Sequence, residues 1–478
     1  MTEILDLSHH VAGQAIPAVV AHEQRNPAAP DDLIVHIPEA GTVLVAQAAQ
    51  AARNALAPFA AAGIEARSDA LSKIGRDIAA NAAALSLLIA RETGKTLRDA
   101  RGETMRAARI FEFFAGEALR NAGERFESTR AGAMVEVMHA PVGVAGLITP
   151  WNFPIAIPAW KIAPALAFGN TVVWKPSEVS SATAAALMRI IANAGLPEGC
   201  VNLVFGAGAT GEAICNEPRI DAVSFTGSET VGRHVRGVVT MRGARVQTEM
   251  GGVNGLVVLA DADLDIAVES AVNGAFFAAG QRCTATSRIL VDDTIADAFV
   301  AGVQSRMKNV TIGDPRLEQT DIGPLASSRQ KQRVAKQVAV VRDEGLPTVF
   351  GAEADMDDNY FPPTLFDRVG SGSLLARDEI FGPVAGLFRV DGFDAAMALL
   401  NESRFGLSAG LCTRSLKHAE AFKHEARAGM LMINLPTAGI DYHAPFGGVG
   451  DSSHGPREQG RAARAFYTTM RTTYLRAG

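Results

Sequence analysis

The chain has 478 residues, 48% of them apolar and 20% charged, with a formal net charge of −6. That length suggests roughly two to three domains of ordinary globular composition. The acidic balance, with no basic block, excludes nucleic-acid binding by phosphate neutralisation, and apolar runs such as residues 255–260 are too short to span a bilayer.

The first ten residues, MTEILDLSHH, lack the basic start and apolar core of a signal peptide, so the expected location is cytoplasmic. The four cysteines, Cys200, Cys215, Cys283 and Cys412, form no CxxC or CxxH pattern. That argues against a structural zinc site and a disulfide framework. No metal is expected, and cysteine chemistry here would be thiolate chemistry.

Residues from 39 to about 122 are Ala-rich and helical in pattern. "LSKIGRDIAANAAALSLLIARETGK" repeats apolar residues at three- and four-residue spacing and stops near Gly94. "AMVEVMHAPVGV" then alternates as a strand. A βα rhythm follows: "VAGLITP", "TVVWKPSE", "VNLVFGAG" and "AVSFTGS" read as strands, separated by "AWKIAPALAFGN", "SSATAAALMRIIANAG" and "GEAICN" as helices. Such alternation implies parallel sheets covered by helices. The rhythm resumes after Gly251 and runs to about Asn434. Two α/β domains in series are expected, with the hinge near residues 249–252. "RAFYTTMRTTYL" alternates again, as an edge strand needing a partner in the earlier strand, another subunit, or both.

Several short stretches at strand ends carry candidate chemistry. Gly206 to Gly211 match GxGxxG before a helix, a phosphate cradle or simply a tight βα turn, and no clean acidic residue follows about 20 positions on at the end of a next strand. "WKPSE" puts Lys175 and Glu178 at a sheet edge, where they can meet a ribose or form a solvated turn. "PWNFP" fixes the Asn152 amide between prolines, as an oxyanion donor or an Asx turn. "EMGG" holds Glu249, a general base if its pocket is apolar and otherwise a surface carboxylate. "GQRCTA" contains Cys283, a nucleophile or a buried inert thiol.

Taken together, "PWNFP", "WKPSE", "FTGS", "EMGG", "GQRCTA" and "EIFGPV", in this order, resemble the NAD(P)-dependent aldehyde dehydrogenase superfamily over nearly the whole chain. The resemblance implies an α/β fold with a Rossmann-type cofactor domain, an α/β catalytic domain and a small β extension for oligomerisation. The corresponding spans are 1–122 with 141–250 for NAD(P) binding, 251–435 for catalysis, and 123–140 with 456–478 for the extension. It implies that Cys283 attacks the aldehyde to give a thiohemiacetal, that Asn152 and the Cys283 backbone N–H hold the oxyanion, and that hydride loss leaves a thioester. Glu249 would then activate water to release the acid. Lys161 and Glu458 match positions suggested for a proton exit path, and a structural salt bridge is the other reading.

For the cofactor, the resemblance assigns Lys175 and Glu178 to the adenosine ribose. Ser228, Gly208 and Gly211 would lie near the pyrophosphate, Glu379 at the nicotinamide ribose and Phe381 against the ring, with Trp151, Ser177 and Met250 as further cofactor contacts. Glu178 would repel a 2′-phosphate, so NAD is expected, with NADP possible. The "GAGATG" turn is not used in this family as an ordinary dinucleotide fingerprint. Two further departures, Val253 after "EMGG" and the stretch "PFGGVGDSSHG", fall outside the catalytic set and are expected to bear on the substrate mouth and local packing.

"NFPIAIPAWKIAPALAFGNTVV" and "GPREQGRAARAFYTT" look most like 2-oxoglutarate semialdehyde (2,5-dioxopentanoate) dehydrogenases. Arg282 would then meet the substrate carboxylate. Phe153, Trp160, Phe277 and Phe446 match tunnel-lining positions and equally suit an aromatic aldehyde of the vanillin or benzaldehyde type. CoA-dependent acylation and a non-enzymatic NAD-binding structural protein are the rival readings; Glu249 favours water over CoA because hydrolysis needs a base, and an intact Cys283, Glu249 and Asn152 argues against the non-enzymatic reading. The resemblance also implies a homodimer or homotetramer.

Overall fold

Short runs rich in Val and Ile, buried on both faces, pair in parallel in this protein. Its computed structural model describes residues 5–351 and 356–476. The first four residues of the expected cofactor domain and the last two of the expected extension lie outside the described residues. One sheet contains Arg245–Glu249, Ala222–Thr226, Val144–Ile148, Thr171–Lys175 and Val201–Leu203, in that spatial order and all parallel. The strand earliest in the chain of these five therefore lies in the middle. The winding reverses between Val144–Ile148 and Ala222–Thr226, and ligands of such sheets bind outside the strand ends at that point.

Both edges of this sheet come from elsewhere in the chain. His9–Val11 and Gln14–Ile16 extend one side and Ser453–His454 the other, all antiparallel. The N-terminal pieces have three residues each, too short for a period to register. The helical region is Thr42–Ala61, Gly63–Ala80, Ala82–Thr93 and Leu97–Ala118. Gly94, at φ 76°, ends the third of these helices.

The second sheet runs Thr348–Phe350, Thr364–Phe366, Val384–Val390, Thr286–Asp292, Asn254–Val258, Ser408–Cys412 and Met430–Ile433. All but the first pair in parallel. Its core is separate from that of the first sheet. A three-stranded sheet joins Glu124–Glu127, Ala133–Pro141 and Thr468–Arg476, the last two antiparallel from Thr468↔Pro141 to Arg476↔Ala133. The C-terminal strand starts later than its alternation suggests. Arg464–Tyr467 forms a helical turn that buries Phe466 and Tyr467 in the first core. Among the described residues, no helix is long and apolar enough to cross a membrane.

Candidate active site

Helix Leu264–Phe276 ends in a reversal. Ala278, Ala279 and Gly280 follow at φ 55°, 52° and 66°, a left-handed run that costs roughly 1 kcal/mol or more at each alanine. Gly280 is required twice over, since a Cβ there would come within 2.0 Å of the Gly382 carbonyl oxygen. The reversal delivers Cys283 just before strand Thr286–Asp292. Asn254 clamps the loop: its Nδ2 donates to the carbonyls of Cys283 (2.8 Å) and Ala285 (2.9 Å), while its Oδ1 accepts from Ser408 N. Thr437 Oγ1 donates to the Thr284 carbonyl at 2.7 Å. Asn254 had one signal in the sequence, a polar residue opening the strand NGLVV.

Cys283 lines two cavities. One, of about 330 Å³, has Phe153, Trp160, Ile440 and Phe446 among its apolar walls and Lys95, Arg98, Asp99, Glu103, Arg106 and Arg282 among its charged ones. The other, of about 120 Å³, lies at the winding reversal of the first sheet, between Trp151, Asn152, Thr226, Ser228, Met250, Glu379 and Phe381. Phe277 lines neither. It packs in the second core under the guanidiniums of Arg98 and Arg306, because the left-handed turn that swings Cys283 outward leaves Phe277 behind it. Trp160 and Phe446 lie 5.4 Å apart in a tilted pair.

Asn152 follows strand Val144–Ile148 and is buried. One of its amide hydrogens goes to the Gln281 carbonyl at 3.2 Å, which leaves the second uncommitted. Its own carbonyl accepts from Lys95 Nζ at 2.7 Å. Lys95 in turn pairs with Glu103, whose other oxygen accepts from the N–H groups of Ile155 and Ala156. Lys95, Glu103 and Arg106 come from the chain around helix Leu97–Ala118 and were not anticipated as site residues.

Arg282 donates to Asn273 Oδ1 at 3.3 Å and to Asp99 at 3.4 Å. Arg106 faces the same cavity with no hydrogen bond or ion pair to any other described residue, feeling Glu103 and Asp441 only at longer range.

Burial holds the Cys283 thiol well above the usual thiol range, reinforced by the nearby carboxylates of Glu379 and Glu249; the N–H groups of Cys283 and Thr284 act the other way. Burial also pushes the Glu379 carboxyl up to about 7, against a hydrogen bond from Gly252 N at 3.2 Å. Glu249, at the end of strand Arg245–Glu249, is 2% exposed. Burial, then the neighbouring Glu458, raises its carboxyl well above the ordinary range, opposed by a hydrogen bond from Ser453. That contact corrects the expectation that "GGVGDSSHG" stands clear of the catalytic set. Strand pairing sets Ser453 directly opposite Glu249. Val253 is buried and lines neither cavity.

Lys161 and Glu458 form a buried ion pair. Glu458 also accepts from Trp160 Nε1 at 2.7 Å and Ser224 Oγ at 3.2 Å, while Lys161 Nζ donates to Ser224 Oγ at 2.6 Å. The pair therefore anchors a wall of the larger cavity.

The smaller cavity fits the end of a dinucleotide. Thr226 Oγ1 is buried in its wall with no hydrogen-bond partner among the described residues. Ser228 caps helix Glu229–Met241 without a side-chain bond to it, leaving its hydroxyl and the helix N-terminus for an anion. Lys175, Ser177, Glu178, Gly208 and Gly211 are not part of this cavity. They gather at the neighbouring strand ends, where Lys175 Nζ donates to the carbonyls of Pro176 (2.8 Å) and Gly206 (2.6 Å). Burial lowers the Lys175 ammonium. Gly208 has open space beside it, and a Cβ at Gly211 would sit 3.8 Å from Lys175. The turn before them is already filled by Glu39, which accepts from Ala207 N and Thr210 Oγ1. A carboxylate there repels phosphate, which accounts for the turn not serving as an ordinary fingerprint.

The aldehyde dehydrogenase family profile matches residues 19–473. An alpha-ketoglutaric semialdehyde dehydrogenase of Bacillus subtilis is 38% identical over 457 residues, 94% of each chain. A 2,5-dioxopentanoate dehydrogenase of Saccharolobus solfataricus is 37% identical over 413 residues, 85% of this chain and 86% of the relative. The crystal structure of an NAD-dependent aldehyde dehydrogenase from Sinorhizobium meliloti superposes with a TM-score of 0.96 at 32% identity, covering 99% of this chain and 95% of that one.

Proposed function

The chain belongs to the aldehyde dehydrogenase family and is an oxidoreductase acting on aldehydes, and from that premise we propose that it oxidises a short acidic aldehyde of the 2,5-dioxopentanoate type to the carboxylic acid with NAD. The observation that carries the substrate reading is Arg106, a guanidinium facing the larger cavity without a carboxylate partner. Arg106 is half-buried, with its charge partly desolvated and opposed by Arg282, and a substrate carboxylate would offer it a bidentate pair. Arg282, already shared between Asp99 and Asn273, is its secondary partner. The names of the two relatives support the same class.

In this reading the aldehyde enters the larger cavity and Cys283 Sγ adds to its carbonyl carbon as the thiol proton passes to solvent water. The free amide hydrogen of Asn152 and the Cys283 N–H receive the oxyanion. NAD, when bound, supplies the hydride acceptor. Trp151, Thr226, Ser228, Met250, Glu379 and Phe381 would hold its nicotinamide end, with Ser228 toward the phosphates, and Lys175, Ser177, Glu178, Gly208 and Gly211 its adenosine end. Glu178 favours NAD over NADP. Glu249 then takes a proton from water as the water attacks the thioester, releasing the acid and the thiol. Lys161 and Glu458 brace this region, with the proton exit as their further role. We read the protein as a cytoplasmic homodimer or homotetramer. Support for assembly comes from the exposed side chains of Phe126, Met138, Met470 and Tyr474 on the three-stranded sheet.

The test is a panel of 2,5-dioxopentanoate, succinate semialdehyde, vanillin and benzaldehyde with NAD and NADP, Cys283→Ala serving as the inactive control. Arg106→Ala is expected to lose about 100-fold in kcat/KM on the acidic aldehydes and little on benzaldehyde. Equal losses on both would remove the carboxylate role. Highest efficiency on the aromatic aldehydes would shift recognition to the Trp160–Phe446 pair.

A further inference from the structure

This inference rests on Glu249 acting as the hydrolytic base. Cys283 lines both cavities, whereas Glu249 lines neither. Its carboxylate lies behind the wall, in a slot made by the chain that follows Phe446. A Cβ at Gly447 would come within 2.7 Å of Oε1, and Ser453 Oγ meets Oε2 at 2.6 Å. A third group sets the direction of that bond. Gly448 N–H donates to the same Oγ at 2.6 Å, so the single hydroxyl proton is left for the carboxylate.

We propose that Ser453 is a positioning residue for hydrolysis: it docks Glu249 in the Gly447–Ser453 slot and favours its ionised form, and the base leaves this slot to reach water at the acylated Cys283. The charged and titratable groups that act on Glu249 from the surrounding elements are Glu458 and Arg457, Lys161 on helix Ala156–Ala167, and the Cys283 thiol. Glu458 opposes ionisation, while Arg457 and Lys161 assist it. Removing the Ser453 hydroxyl deletes the hydrogen bond made directly to the carboxylate and leaves those longer-range groups in place.

The experiment uses p-nitrophenyl acetate and the full-length protein, with no cofactor. Cys283 attack forms the S–acyl bond and expels nitrophenolate as a burst. Water then cleaves that bond, giving acetate and the thiol, and sets the steady state. Ser453→Ala is expected to keep the burst amplitude while the acid limb of the steady-state rate moves up by about one pH unit, a roughly tenfold loss below the limb. Ser453→Thr, which retains the hydroxyl, is expected to restore the limb. Should the alanine variant be poorly soluble, Ser453→Cys keeps the volume with a weak donor and is expected to show the same shift. A limb that stays at the wild-type pH would overturn the proposal, as would a loss spread evenly over burst and steady state. Glu249→Gln separates the premise: if deacylation persists in that variant, the base assignment itself fails.

Discussion

Lys95 Nζ donates to the backbone carbonyl of Asn152 at 2.7 Å while its own charge is matched by Glu103. Through this bond the segment before helix Leu97–Ala118 fixes an amide that belongs to a different sheet edge. Burial lowers the Lys95 ammonium and the Glu103 carboxylate raises it, so the charged form depends on the pair. Lys95→Met leaves Glu103 buried with only two backbone donors. The expected cost is about 3 kcal/mol of stability, measured by urea unfolding, with kcat falling more than KM for the aldehyde because Asn152 loses its orientation.

The Glu379 carboxyl, pushed up to about 7 by burial, gives NAD binding a pH dependence. Above that value the carboxylate accepts hydrogen bonds from a ribose diol; below it the proton removes part of that capacity. The apparent Kd for NAD is expected to rise about tenfold between pH 8 and pH 6. Glu379→Gln should bind weakly at pH 8 and show no such slope. Titration of the fluorescence of Trp151, which stands edge-on to Phe381 at 5.5 Å, reads this directly.

Gly280 carries both a left-handed φ and the closest approach to the Gly382 carbonyl. Gly280→Ala is expected to cost about 2–4 kcal/mol and to abolish the p-nitrophenyl acetate burst, since Cys283 lies three residues along the displaced loop. A burst of full amplitude in a destabilised Gly280→Ala would show that the loop tolerates the shift.

Met470 is 70% exposed and Tyr474 59% exposed, on a strand whose pairing with Ala133–Pro141 leaves its other edge open. Exposed apolar edges of this kind seek partners. Met470→Glu combined with Tyr474→Glu is expected to lower the assembly state in size-exclusion chromatography with light scattering. An unchanged mass would move the contact to another surface.

The parts of the site legible in the sequence are those where glycine and proline punctuate strand ends. "PWNFP", "EMGG" and "GQRCTA" announce turns by local rules, and those turns fall at the winding reversal and beside Cys283. The supporting residues were not legible, for distinct reasons. Asn254 acts through carbonyl groups about thirty residues away, which no local pattern encodes. Asp99, Glu103 and Arg106 recur at helical spacing, but a charged helical stripe ordinarily faces solvent; only the packing of helix Leu97–Ala118 against Ala156–Ala167 turns this stripe into a cavity wall. Ser453 stood out as a departure, yet its importance depends on a strand pairing across 204 residues. Phe277 was misplaced because two alanines in left-handed conformation carry no mark in the sequence.

The first sheet takes one edge from His9–Val11 and the other from Ser453–His454, whereas the second sheet is drawn wholly from the chain between Asn254 and Ile433. During synthesis the second unit can close while the ribosome is still adding residues. The first must wait on one side, its Arg245–Glu249 edge unmatched, until nearly the last codon has been read. The growing chain thus holds an open edge from the synthesis of Glu249 until that of Ser453, and chaperone demand should fall on this half of the molecule, not on the half that bears Cys283.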